Sequence, residues 1–314
     1  MKLPRLNRLM SPRSGRKSCF QDVHPAAVLR YNGIISTALN REAPCAIGKV
    51  GTTELMGLEY LDRGIQLPWP RSASWQRPAH RLYMCSGVFP VAEKTFLAWA
   101  ETYRASLGQL DVVGQWQPAN TYLAKYEDAC LHEYAPGAER CGGALVSPLQ
   151  PIAPWVQELL AFRWLVITPF VETAKSQLLK LPSLGIYPTE SADKLTRLRK
   201  TISFLASPPF AYMQPPQEPD WMTTLNKMKS SMEKMDFDLA LIGAGAWSLP
   251  LTAHAKAMGK KAIHLGGVTQ LLLGIRGGRY DQSGIYSRDN SAWRNPLPAE
   301  TPINCGLMEN GAYW

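Results

Sequence analysis

The segment from Phe237 to Gly267, FDLALIGAGAWSLPLTAHAKAMGKKAIHLGG, constrains this chain more than any other. An apolar run ends at Gly243 and a glycine-rich turn follows. A stretch with helical spacing then stops at Gly259, and a second apolar run ends at Gly266 and Gly267. Strand, turn, helix and strand in that order make one βαβ unit. Strands joined this way are parallel and buried on both faces, so they read as continuous apolar runs.

The same alternation extends along the chain. CAIGKV (45–50) reads as a strand, and residues 52–63 carry helical spacing through Leu55, Leu58 and Leu61. Residues 91–110 predict a helix, followed by a strand at 111–116. A further helix at 154–162 leads into the apolar run 163–170, and a third clear helix spans 218–235 from near Pro219. This pattern predicts an α/β protein of three-layer, Rossmann-like architecture around a mainly parallel sheet. The length, 314 residues, has room for two domains. Residues 1–20 read as a basic tail, 21–150 as an N-terminal α/β part, and 151–314 as a Rossmann-like nucleotide-binding part. Prolines crowd 208–219, a plausible extended crossing, and the aromatic-rich segment from Arg279 onward is expected to wrap the body.

Charge narrows the partners. Lys and Arg number 34 against 25 acids, for a net +9. Lys2, Arg5, Arg8, Arg13, Arg16 and Lys17 supply much of it, with no acid in the first twenty residues. That end is either a disordered basic tail or an electrostatic tether to an anionic membrane surface or another polyanion. The rest is only mildly basic, so no specific nucleic-acid partner is expected. The most apolar stretch, Phe237 to Ala255, contains Asp238, Pro250 and His254, which argues against a spanning helix. Six cysteines show neither CxxC nor zinc spacing. They read as reduced thiols of a cytoplasmic protein, peripheral at the inner membrane face if residues 2–17 act as a tether. Cys130 and Cys141 flank a turn and are candidate neighbours.

Three glycine-ended strands carry the candidate chemistry. Gly243, Gly245, Trp247 and Ser248 form a turn that can bring backbone N–H groups to an anion. The dinucleotide pattern G-x-G-x-x-G is not met, because Ser248 stands at its third glycine. The second strand ends in His264, Leu265 and Gly266 rather than an acid. A nucleotide or phosphate site of another kind, or a tight turn without ligand, fits better. Gly266, Gly267 and Gln270 end the neighbouring strand, and Arg276 and Arg279 suit diphosphate recognition or are plain surface charges. In front, Gly51, Thr52, Thr53 and Glu54 follow the strand at 45–50. Glu54 either complements a helix dipole, holds a divalent metal against a diphosphate, or accepts a proton from an attacking hydroxyl. Thr52 or Thr53 caps that helix or touches phosphate or metal. His254 reads as structural, and His264 as a candidate ligand contact.

Together these segments resemble the GT-D-type glycosyltransferases. IGKVGTTEL is similar to their first strand–turn–helix, which runs roughly R-F-G-D-G-E, and DLALIGAGAWSLPLTAHAKAMGKKAIHLGG resembles their later βαβ unit. SGVFPVAEKTFLAWAETY, HLGGVTQLLLGIRGGRY and ENGAYW resemble a divergent bacterial branch found with surface-polysaccharide genes. The resemblance covers most of 45–314. It implies a hexosyltransferase that takes a nucleotide-sugar donor to a glycan or lipid-linked acceptor, with displacement of a nucleoside diphosphate at the anomeric carbon. Glu54 matches the motif glutamate, one of an acidic pair that holds Mn or Mg in the family. Gly51 matches the turn glycine and Lys49 stands at the arginine. Thr52 replaces the aspartate. Two other readings of the residues are a nucleotide-dependent oxidoreductase or epimerase using the GAGA turn, and a non-catalytic nucleotide-binding relative.

Overall fold

A computed structural model describes residues 24–62, 76–149, 154–208, 216–281 and 291–314. The basic segment 1–20 and most of the proline-rich crossing expected at 208–219 lie outside the described residues. Seven strands form one sheet: β1 (Cys45–Lys49), β2 (Val112–Gly114), β3 (Glu139–Arg140), β4 (Trp164–Thr168), β5 (Ser203–Ala206), β6 (Leu239–Ile242) and β7 (Lys261–His264). Their order is β3-β2-β1-β7-β6-β4-β5, and every pairing is parallel. Ile47 lies opposite both Val112 and Ile263, and Ile242 opposite both Ile167 and His264. This register sets the carboxyl ends of β1, β7, β6 and β4 side by side.

β1, β4, β6 and β7 are buried at every position, as the apolar runs require. Alternate side chains enter two separate cores. Ala46, Ile167, Ala240 and Ile242 pack on one face with α2 (Thr52–Asp62), α3 (Gln76–Ser86), α4 (Glu93–Leu107), α5 (Tyr122–Tyr134), α8 (Trp221–Glu233) and α9 (Ser248–Ala257). Ile47, Val166, Leu241 and Ile263 pack on the other with α1 (Pro25–Asn40), α6 (Val171–Gln177) and α7 (Ala192–Thr201). The result is the three-layer α/β architecture that the alternating pattern predicts.

Two sequence expectations change. The helix expected at 154–162 is a 3-10 segment, Trp155–Ala161. Phe162 N–H bonds the Leu159 carbonyl, three residues back, and the Trp164 indole donates to that same carbonyl at 2.7 Å. The carbonyl is thereby drawn away from an α-helical ladder. Cys130 and Cys141 are both buried free thiols and are not bonded to each other. The C-terminal residues fold onto the carboxyl end of the sheet. Arg279 N–H donates to Ala312 O (3.0 Å), Gly278 N–H to Trp314 O (3.1 Å), and the Trp314 ring meets Phe170 edge-on at 6.1 Å. Among the described residues, no helix is long and apolar enough to cross a membrane.

Candidate functional site

The chain leaves β4 and β6 in opposite directions. The link from β4 to β5 passes over the face carrying Ala174 of α6 and Leu198 of α7, whereas that from β6 to β7 uses α9 on the other face. Such a reversal opens a crevice at the strands' carboxyl ends. A cleft with about 130 Å³ of free space lies there, bounded by the ends of β1, β7, β6 and β4. Gly51, Thr52, Thr53 and Glu54 line one side; Gly243, Gly245, Gly266, Gly267, Gln270 and Arg279 line the rest. Three glycine-ended strands widely separated in sequence therefore share one cleft.

Trp247, Ser248 and Arg276 do not line it. Trp247 is fully buried, stacks on Trp221 at 6.5 Å, and its indole donates to Trp221 O at 3.1 Å. Ser248 Oγ accepts the Ala244 N–H at 2.8 Å. Arg276 N–H donates to Arg294 O at 2.7 Å, and its carbonyl accepts from Gln270 Nε2 at 2.7 Å. A Cβ on Gly245 would lie 2.6 Å from Ser86 O, at φ +55°, and one on Gly243 would lie 2.5 Å from Gly266 O. These glycines let the chain approach itself. Of the diphosphate cradle expected across 243–248, Gly243 and Gly245 border the cleft, whereas Trp247 and Ser248 are engaged by the chain itself. The same packing means that a side chain at Gly245 would disturb the fold itself.

Charge gathers on the β1 side. Lys49, the last residue of β1, is 7% exposed, with its Nζ 5.0 Å over the Trp116 ring. A Cβ on Gly266 would lie 3.5 Å from that Nζ and 3.6 Å from His264 Cε1, so the ammonium and imidazole flank the same glycine. Burial lowers the Lys49 pKa to about 8, against the pull of Glu54. Glu54 is likewise 7% exposed. Burial raises its pKa, opposed by hydrogen bonds from Ser86 and from its own backbone N–H and by Lys49. Its carboxylate folds back over Gly51 in the first turn of α2, so one side chain both satisfies the helix start and walls the cleft. Burial and Lys49 push His264 well below the usual imidazole range, leaving the ring neutral. Partly exposed Arg279 pairs with Glu309 and lies 4.8 Å from the Tyr313 ring centroid.

Three buried polar atoms of cleft-lining residues, His264 Nδ1, Thr269 Oγ1 and Gln270 Oε1, have no hydrogen-bond partner among the described residues. Orphaned buried groups are rare in native proteins and mark places where something else supplies the partner. The orphan on Gln270 is well defined, because its Nε2 already donates to Arg276 O and Tyr313 O. Sequence reasoning missed Thr269 and the cleft-lining Ser86, Trp116 and Tyr313. Each arrives from a different element, and although Ser86, Thr269 and Tyr313 lie in segments quoted for the resemblance, no residue type or spacing there marks a ligand contact.

The donor set does not fit a divalent cation. Glu54 is the one carboxylate of the β1–α2 turn, and Thr52 Oγ1 accepts from Gln117 Nε2 at 3.1 Å. Among the described residues, no group of three His, Cys, Asp or Glu side chains is arranged to hold a metal ion. The charge that acts on Glu54 is the Lys49 ammonium rather than a second acid.

No family model matches the chain, and no curated protein matches it. Two solved structures are similar in outline. One is described as "The highly conserved domain of unknown function 1792 has a distinct glycosyltransferase fold", at 13% identity and TM-score 0.42. The other is a selenomethionine-substituted structure of the same domain, at 14% identity and TM-score 0.40. Each alignment covers 88% of this chain and 95% of the other.

Proposed function

We propose that this protein is a glycosyltransferase that uses a nucleotide-sugar donor. The observation that carries the reading is the trio of orphaned polar atoms, His264 Nδ1, Thr269 Oγ1 and Gln270 Oε1, on a cleft at the carboxyl end of a parallel sheet. A sugar ring offers hydroxyls that both donate and accept, which suits a mixed trio of this kind. The free space of about 130 Å³ suits one ring or phosphate group, with the remainder of the donor lying along the rim. In this reading the diphosphate lies at Gly266, and Arg279 exchanges Glu309 for phosphate oxygens. The acceptor oxygen attacks the anomeric carbon, and the bond to the diphosphate breaks with its electron pair leaving on phosphate oxygen. Glu54 receives the acceptor's proton, a task favoured by a carboxyl whose pKa burial has raised. The acceptor is a glycan or lipid-linked sugar of surface-glycan assembly, and residues 2–17 hold the protein at an anionic membrane surface.

The test is nucleoside diphosphate release from a panel of nucleotide sugars, with and without saccharide acceptors, followed by mass spectrometry. Release from one donor, reduced roughly 10²-fold or more in Glu54→Gln, is expected. A folded protein that turns over no donor and instead binds NAD(P) would overturn the proposal.

A further inference from the structure

Lys49 is a buried cation, 7% exposed, without a hydrogen bond or ion pair at its Nζ among the described residues; its nearest defined contact is the face of Trp116 at 5.0 Å. Glu54, which acts on it electrostatically, is committed to Ser86 and its own helix turn. Glu127, the other carboxylate acting on it, accepts the backbone N–H groups of Trp116 (3.2 Å) and Gln117 (3.0 Å). His264 and Arg279 add no acceptor charge. An ammonium held in low dielectric with no hydrogen-bond acceptor of its own is costly unless a ligand supplies one. The Nζ faces the cleft beside Gly266, at the rim where the orphaned groups gather. The acids that would hold a metal are absent from this turn, with Thr52 at the second position and Glu54 alone.

We propose that the Lys49 ammonium is the resident cation of this cleft and receives the diphosphate of the donor directly, in place of a divalent metal. The inference rests on the glycosyltransferase reading and deepens it. A fixed ammonium offers three donors to phosphate oxygens, and it can offset the charge that grows on the leaving diphosphate. Gly266, at φ +61° and without a side chain, leaves the approach to Nζ open.

The experiment is isothermal titration of the full chain with UDP, ADP, GDP and CDP, in EDTA and again in manganese chloride, for wild type and Lys49→Met. One nucleoside diphosphate should bind wild type with the same Kd in both buffers. Lys49→Met should weaken that binding roughly 10- to 100-fold, the loss of one charge-assisted contact, with unchanged near-ultraviolet circular dichroism. Binding by wild type only with manganese overturns the resident cation and leaves the glycosyltransferase reading standing. Tight binding by folded Lys49→Met does the same. No binding of any diphosphate in either buffer overturns both. The buffer comparison uses wild type alone, so it decides the question even if Lys49→Met fails to fold.

Discussion

A buried ammonium without a hydrogen bond or ion pair should make the protein less stable than it need be, and the cost can be worked out. The Lys49 pKa falls from an ordinary 10.5 to about 8 in the folded chain. At about 1.4 kcal/mol per pH unit, the protonated form is about 3 kcal/mol costlier folded than unfolded. Below pH 8 both states hold the proton and the full cost is present. Between pH 8 and 10.5 the unfolded chain binds more protons, so stability rises with pH, and above 10.5 the cost is gone. Met fills nearly the same volume without charge, while loss of the Trp116 contact takes back about 0.5–1 kcal/mol. Lys49→Met should therefore gain about 2 kcal/mol at pH 7. That gain should shrink through pH 8–10.5 and vanish beyond it. Urea unfolding of both proteins at several pH values measures the difference directly, and effects of other titrating groups common to both cancel. A variant less stable than wild type at pH 7, or a difference independent of pH, would refute the reasoning.

Glu54 titrates with the opposite sign. Its folded pKa is raised, so stability present below the ordinary 4.5 is lost as pH rises through the raised value. Glu54→Gln should be at least as stable as wild type at pH 7, and the two should converge near pH 4 in urea titrations. Gly245→Val should lower the melting temperature whether or not ligand is present. Its left-handed φ alone costs about 1–2 kcal/mol, before the clash with Ser86 O; an unchanged melting curve would contradict that packing. Asp238 accepts the Arg163 Nε at 2.9 Å and Nη2 at 2.8 Å, which holds its pKa low. Asp238→Asn should thus cost stability at neutral pH and little once pH falls below the lowered value. Removing residues 1–20 should leave the melting temperature unchanged and abolish binding to anionic vesicles, a binding that salt also weakens because exposed charges are screened beyond about 10 Å at 0.1 M.

The parts legible in the sequence were those with long, uniform patterns. β1 and β6 are apolar at nearly every position because both faces are covered, and β7 is buried throughout although only Ala262 and Ile263 in it are apolar. α4 and α8 carry helical spacing over more than three turns. The two-residue β3 and the half-buried β5 give no such run, and α7 offers mainly Leu195 and Leu198 to the core amid charges. Glycines at three strand ends foretold that Gly51, Gly243 and Gly266 meet in one cleft. What glycine could not reveal is what fills its missing side chain. At Gly243 and Gly245 the chain itself does, at Gly267 the Tyr313 ring does, and only at Gly266 does the space open toward Lys49. Lys49 itself read as the basic residue near the end of the first strand that stands at the arginine of the family motif. Its significance comes from burial and from the carboxylates around it being already engaged, and both are facts of packing.

A crystal structure with the tightest-binding nucleoside diphosphate tests the site most directly. The phosphates should lie within hydrogen-bond reach of Lys49 Nζ and the Gly266 backbone, with Arg279 turned from Glu309 toward them. Phosphates seated over the Gly243–Ser248 turn, or at the opposite end of the sheet beside Arg41 and Lys260, would contradict the assignment.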